Sequence, residues 1–209
     1  MVITDPLAFA RANLPAPPAR VLEIGAGDGE LARRLRESGY EVLAIDPKPS
    51  GADVRSVALH ELDEPAASFD AALAVTSLHH VEPLEPSLSR LAELLAAGAV
   101  LVVDEFDVAA FDERAAEWWL RERHARGGRE QAGAEDLVAD HRAHLHPLER
   151  IVAALARDFE VGTPVYGPYL YRWNLDESLR SNEEDAIARG EIPAVGARLV
   201  ARRQRPAQP

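Results

Sequence analysis

The sequence predicts an α/β fold, a doubly wound and mostly parallel sheet, and three observations carry that reading. A short apolar run, Val21 to Ile24, leads into glycines at 25, 27 and 29 and then into an amphipathic stretch opening at about Glu30, in the order strand, tight turn, helix. A second run, Tyr40-Glu-Val-Leu-Ala-Ile-Asp46, ends in an acid roughly 20 residues past the glycines, the spacing of two parallel strands joined by a helix. Ser68–Thr76 and Ala99–Phe106 are two further apolar strands, the second ending in acids.

The glycine turn is the most informative element. Without β-carbons at 25, 27 and 29 its backbone N–H groups can approach a ligand closely. The dinucleotide fingerprint would need glycine at position 30, where this chain has Glu30, and an anionic side chain at the helix entrance opposes a pyrophosphate. The segment Glu23-Ile-Gly-Ala-Gly-Asp-Gly29 instead resembles the first motif of class I S-adenosylmethionine-dependent methyltransferases. That cofactor carries a sulfonium and an ammonium but no phosphate, so nearby carboxylates favour it. The resemblance runs in order over about residues 15–107 and is to the small-molecule, quinone-methylase-like type. It implies a Rossmann-like sheet of about seven strands with an antiparallel last strand, plus a small helical cap. It also implies S-adenosyl-L-methionine as cofactor, held by Glu23, Gly25, Ala26, Gly27, Asp28, Gly29, Asp46, Pro47, Leu59, Thr76 and Ser77.

Asp46 is the expected ribose acid, since a carboxylate accepts from both hydroxyls and each charge-assisted bond is worth about 1.5–3 kcal/mol. The competing role of capping a following helix is opposed by Pro47 and Pro49. The pattern breaks in two places. Only Pro47–Asp53 separates Asp46 from the next expected strand, Val54–Leu59, whereas a crossover with a helix takes roughly ten or twelve residues, so that helix is expected to be missing. The acid often found after this strand, for the adenine amino group, is absent until Glu61, leaving backbone near Ala58 and Leu59 to substitute.

Beyond the strand ending at Phe106, helical patterns over Phe111–Arg126 and Ala134–Leu145, split by Gly127-Gly128, predict an inserted cap over about 108–146 of a single domain spanning 1–209. Such a cap sits over the carboxyl ends of the strands, where open α/β folds bind ligands. Trp118 and Trp119 read as its core. Pro147–Arg157 is the next helix, Phe159–Tyr166 a strand resuming through Gly167–Arg172, Asp176–Arg189 a polar helix and Ala194–Ala201 the final strand. Asp5–Asn13 is expected as a short helix closing over the cofactor, with Met1–Thr4 and Arg202–Pro209 frayed.

Moving a methyl group to a hydroxyl needs a base, and histidine is the commonest near neutral pH. His80 and His79 follow the fourth strand; on a helix adjacent residues diverge by roughly 100°, so one of the two should face the acceptor, His80 being favoured. His141, His144 and His146 form H-x-x-H-x-H, readable as a metal site, a further base or a solvated face; no metal is expected. Tyr169 and Tyr171, as alternate strand residues, would share a face.

Composition narrows the partners. A net charge of −12 and the absence of a basic patch oppose nucleic acid. The chain has no cysteine, hence no thiol nucleophile or thiolate metal site, and no membrane-spanning run or signal peptide, which makes the cytoplasm the expected compartment. The reading is therefore methyl transfer to a small organic acceptor, O-methylation slightly favoured, by a monomer or homodimer. Two alternatives stay open: a cofactor-binding module without transfer, and a non-methylating enzyme using the sulfonium electrostatically.

Overall fold

The computed structural model describes residues 5–205. Strands β1 (Arg20–Ile24), β2 (Glu41–Asp46), β3 (Arg55–Ser56), β4 (Phe69–Val75) and β5 (Leu95–Phe106) form the parallel part of one sheet. β6 (Phe159–Val161) and β7 (Val165–Gly167) pair antiparallel with β8 (Gly196–Arg203), which is itself antiparallel to β5. The strand order is β3-β2-β1-β4-β5-β8-β6, with β7 also on β8. β6 and β7 meet the two ends of β8 on the same side, so they are one edge strand interrupted at Gly162-Thr-Pro164.

Strand order reverses between β1 and β4, and the crevice at their carboxyl ends is where ligands bind in such sheets. Alternate residues of the central strands feed two layers. Val21, Val42, Leu73 and Val102 pack with α1 (Pro6–Asn13) and α2 (Glu30–Glu37). Leu22, Ile45, Ala72 and Leu101 pack with α3 (Leu84–Leu94) and α6 (Leu148–Leu155). Leucines 84, 88 and 91 fall at i, i+4 and i+7, so α3 presents one buried stripe.

α4 (Glu113–Ala125) and α5 (Ala134–His144) stand where the inserted helices were expected, and with α7 (Arg180–Ala188) and Leu170 they bury a third cluster around Phe106, Phe111, Trp118 and Trp119. Asp112 caps α4 by accepting from the Ala115 N–H at 3.0 Å.

Three expectations need correction. The strand over Val54–Leu59 shrinks to Arg55–Ser56, and Leu59–Glu61 is a 3₁₀ turn against α3. The residues before it form no helix, as their number required. Instead the Ser50 and Gly51 N–H groups donate to the Gly27 carbonyl, at 3.0 and 3.3 Å, folding this segment onto the glycine turn. Second, Tyr169–Arg172 is not a strand but leads into a 3₁₀ turn, because Glu183, buried on α7, accepts from the N–H groups of Tyr169, Leu170 and Tyr171 at 2.7–2.9 Å. Third, Arg202 and Arg203 are not frayed: they pair with Glu160 and Phe159. Met1–Thr4 and Pro206–Pro209 lie outside the described residues.

Candidate functional site

The turn after β1 is bent by three consecutive odd-numbered glycines at positive φ: Gly25 (70°), Gly27 (56°) and Gly29 (79°). Two of them do different work. A β-carbon on Gly25 would stand 2.3 Å from the Ser77 Cβ, so Gly25 lets the turn pass the loop after β4. A β-carbon on Gly27 would meet nothing within 4 Å, so it would project into open space. The Gly27 N–H donates to Asp46 Oδ2 at 3.0 Å, and the Lys48 N–H to Asp46 Oδ1 at 2.7 Å. Asp46 therefore orders both loops while standing on the wall of a cavity of about 520 Å³. Gly25, Asp46, Pro47, Leu59, Thr76 and Ser77 all line that cavity; Val57 and Ala58 supply an apolar flank, and Glu61 is exposed outside it.

Glu23, Ala26 and Asp28 line instead a smaller hollow of about 260 Å³ between the glycine turn and α1, to which Gly25 also belongs. Gly27 and Gly29 line neither space; Gly29 starts α2 in left-handed conformation. Glu23 is 3% exposed, and its carboxyl is pushed up to about 8, chiefly by burial, with Arg36 opposing and Asp28 adding to the rise. Its Oε2 is buried with no hydrogen-bond partner among the described residues, and so is the Ser77 Oγ across the turn. Orphaned polar atoms in a folded interior are costly, and here they point to a missing polar ligand.

The loop after β4 is strained at its first residue. Thr76, β-branched, sits at φ 53°, held by its N–H to the Asp104 carbonyl at 2.7 Å. Leu78–His80 then make a 3₁₀ turn hung from Glu105. That side chain is fully buried and accepts from the Ser77 and Leu78 N–H groups at 2.8 and 2.6 Å, while its other oxygen bonds His79 Nδ1. With Nδ1 fixed, His79 Nε2 has no partner among the described residues, and the ring lines a second cavity of about 350 Å³. His80 lies between the cavities and lines both, its ring 4.3 Å from that of His79; burial and the neighbouring His79 hold its pKa below the ordinary imidazole value. Thr76 also lines both, so the two cavities share a wall.

The cap completes the second cavity with His141 and His144 from α5, Tyr169 and Trp173. Tyr171 is buried elsewhere, because residues of a turn do not alternate as strand residues do. Trp118 and Trp119 are core, as expected; Trp119 stacks on Trp173 at 4.2 Å and donates to its carbonyl at 2.8 Å, which positions a ring that no sequence pattern singles out. His146 turns away from His141 and His144: its N–H donates to the His79 carbonyl, and its Nε2 lies 3.1 Å from the Val81 carbonyl and 3.0 Å from Glu82. The H-x-x-H-x-H residues are thus not gathered, and no group of three metal-ligating side chains is found among the described residues. Sequence reasoning missed Glu105, Phe106, Glu183 and Trp173. Only Glu105 carried a signal, an acid at the carboxyl end of a strand.

Comparison with known proteins bears on the family and the fold. Residues 2–137 match the family model described as a methyltransferase domain. A ubiquinone biosynthesis O-methyltransferase of Rhizobium rhizogenes is 30% identical over 191 residues, 80% of this chain and 72% of that one. An uncharacterised methyltransferase of Mycobacterium tuberculosis is 38% identical over 90 residues, but the chain spans only 37% of its length, the same share of this chain being matched. Among solved structures, an S-adenosylmethionine-dependent methyltransferase from Mesorhizobium loti superposes with a TM-score of 0.63 at 22% identity, covering 94% of this chain and 96% of the other, a likeness of fold. Among the described residues no helix is long and apolar enough to cross a membrane.

Proposed function

The chain belongs to the class I S-adenosylmethionine-dependent methyltransferase family, and from that premise we propose that it moves a methyl group to an oxygen of a small organic acceptor. One observation carries the reading: two cavities share a wall at Thr76 and His80, and a carboxylate-held imidazole faces the second. The O-methyltransferase name of the Rhizobium relative supports oxygen as the nucleophile.

The residues present fit the cofactor. Asp46 would hold the ribose hydroxyls, Val57, Ala58 and Leu59 would flank the adenine, and the orphaned Glu23 carboxyl, with Asp28, would take the ammonium group. When bound, S-adenosylmethionine supplies a methyl group on a sulfonium, open to in-line displacement. The chain's part is to align the acceptor oxygen, exclude water and remove its proton. His79 is the base: Glu105 fixes Nδ1 as the protonated nitrogen, which leaves Nε2 to accept from the acceptor hydroxyl. His80, kept neutral by its surroundings, is the second candidate. The acceptor is a small molecule rather than a nucleic acid, met in the cytoplasm by a monomer or homodimer of one domain with a 108–146 cap.

Transfer of label from the cofactor to a panel of phenols, alcohols and amines tests the proposal, with His79→Gln and His80→Gln beside the wild type. His79→Gln should cut turnover by about 10²–10⁴-fold with cofactor affinity unchanged, and His80→Gln should act more mildly. Full activity in His79→Gln would move the base elsewhere. Cofactor binding without transfer to any acceptor would leave a binding module. Calorimetry should find S-adenosylmethionine bound and NAD(H) not.

A further inference from the structure

The acceptor cavity has a chemistry that methyl transfer by itself does not require. Its walls are rings, chiefly Phe106, Tyr169, Trp173 and the imidazoles of His79, His80 and His141. Phe106 stacks on Tyr169 at 5.0 Å, and His141 meets Trp173 edge-on at 4.8 Å. Such walls suit a flat body, and about 350 Å³ is small for a ligand cavity, with room for one or two rings and not for a long chain.

Its charge is as distinctive as its shape. Among the described residues no arginine or lysine lines it, and each nearby arginine is bonded to a carboxylate or a carbonyl. Arg172, beside Tyr169, bonds both oxygens of Asp104, the nearer at 2.8 Å. Arg123 bonds Glu130 and the Asn174 carbonyl, and Arg142 the Phe111 carbonyl. Behind the walls stand further acids, Glu105 under His79 and Glu183 under the backbone of Tyr169. Among the described residues the one carboxylate on the wall itself is Asp140, exposed on α5 and 3.2 Å from His144. An anionic acceptor would give up its hydration here with no arginine or lysine in return, whereas an ammonium group would meet a carboxylate and an aromatic wall.

We infer that the second cavity receives a one- or two-ring compound bearing a protonated amine and no carboxylate or phosphate. The inference rests on the second cavity being the acceptor site.

Three phenols of one skeleton test it near neutral pH: tyramine (cationic), 4-ethylphenol (neutral) and 4-hydroxyphenylacetate (anionic). Titrated by calorimetry into the protein saturated with S-adenosylhomocysteine, tyramine should bind most tightly, with 4-ethylphenol roughly three- to tenfold weaker. The anion should bind roughly tenfold or more below the neutral compound. Asp140→Asn should bring tyramine toward the 4-ethylphenol affinity without moving 4-ethylphenol itself, which separates a charge effect from altered shape. The inference is overturned if 4-hydroxyphenylacetate binds as tightly as tyramine, or if none of the three binds. Methyl transfer is scored separately on the same compounds. Binding in the expected order without transfer leaves the charge preference standing and removes the O-methylation reading. Transfer to carboxylate-bearing rings in preference to amines does the reverse.

Discussion

On the β1–β2 side of the sheet, the carboxyl-end loops are shaped by residues without side chains and by one acid that ends its strand. On the β4–β5 side, they hang from buried carboxylates supplied by distant parts of the chain. Gly25, Gly27 and Gly29 bend the first turn, and Asp46 ties it to the neighbouring loop. Glu105 holds the Ser77–His79 turn across 26 to 28 residues, and Glu183 holds Tyr169–Tyr171 across 12 to 14. The first device keeps backbone accessible to a cofactor common to a whole family. The second fixes the side chains that line the second cavity, and through Ser77 it also reaches the first.

The comparison breaks most visibly at Glu105. Glu105→Ala leaves two buried N–H groups and an imidazole nitrogen without a partner, which at ~1–3 kcal/mol each should cost about 3–9 kcal/mol, measurable by urea denaturation. Glu105→Gln separates holding from chemistry. Its carbonyl can still accept from the two N–H groups, but its amide would donate to His79 Nδ1 and put the proton on the nitrogen that should accept. Stability should be mostly retained while kcat falls about 10²–10⁴-fold and KM changes little.

The glycine side breaks differently at each position. Gly25→Ala drives a β-carbon into Ser77 and should lower stability, whereas Gly27→Ala places a methyl group in open space and costs only the left-handed backbone, about 1–2 kcal/mol. Gly27→Val, larger and β-branched, should abolish cofactor binding in a protein that still folds. Loss of folding with binding kept in the surviving fraction would reverse these assignments.

This contrast also explains what the sequence made legible. The glycine turn, Asp46 and the missing helix are local: they follow from residue types within a few positions, through backbone freedom and chain length. The cap helices were legible for the same reason, since periodicity and Gly127-Gly128 mark them. The second cavity was not, because Trp173 and Tyr169 reach it only through a turn created by Glu183 on another helix. Gly167-Pro168 is a turn signal, but the apolar and aromatic residues after it suit a strand, and a tertiary hydrogen-bond cluster overrides that propensity. The sequence favours His80 because it lies further into the loop, whereas the buried partner that the structure gives His79, 26 residues away, cannot be read from two adjacent histidines.

Asp46→Ala comes next in size. Losing the ribose acceptor should weaken S-adenosylmethionine binding by roughly tenfold to a few hundredfold. The bonds from Gly27 and Lys48 add a consequence for the free protein, because both loops lose their shared acceptor. Faster amide exchange at these two positions, with a near-normal midpoint of unfolding, is the expected signature. Asp46→Asn, which keeps an acceptor, should recover part of the binding.

The most diagnostic effect belongs to Glu23, whose carboxyl is buried with an oxygen unpartnered among the described residues. Its carboxyl is raised from 4.5 to about 8, so across that window the folded protein holds a proton that the unfolded chain has released. Stability therefore falls as pH rises from about 4.5 to about 8 and levels above it, by a few kcal/mol (about 1.4 for each pH unit of displacement). Glu23→Gln should remove that slope and be more stable than wild type on the alkaline side. Binding runs the other way. A cationic ammonium prefers the carboxylate, so cofactor affinity should rise with pH toward about 8, by roughly tenfold, and then flatten. Binding below that pH should release a proton, visible as a dependence of the apparent enthalpy on the buffer's ionisation heat. In Glu23→Gln both the rise and the proton release should vanish. If the variant kept them, Glu23 would be a buried acid with no part in holding the cofactor, and the hollow beneath α1 would lose its assigned ligand.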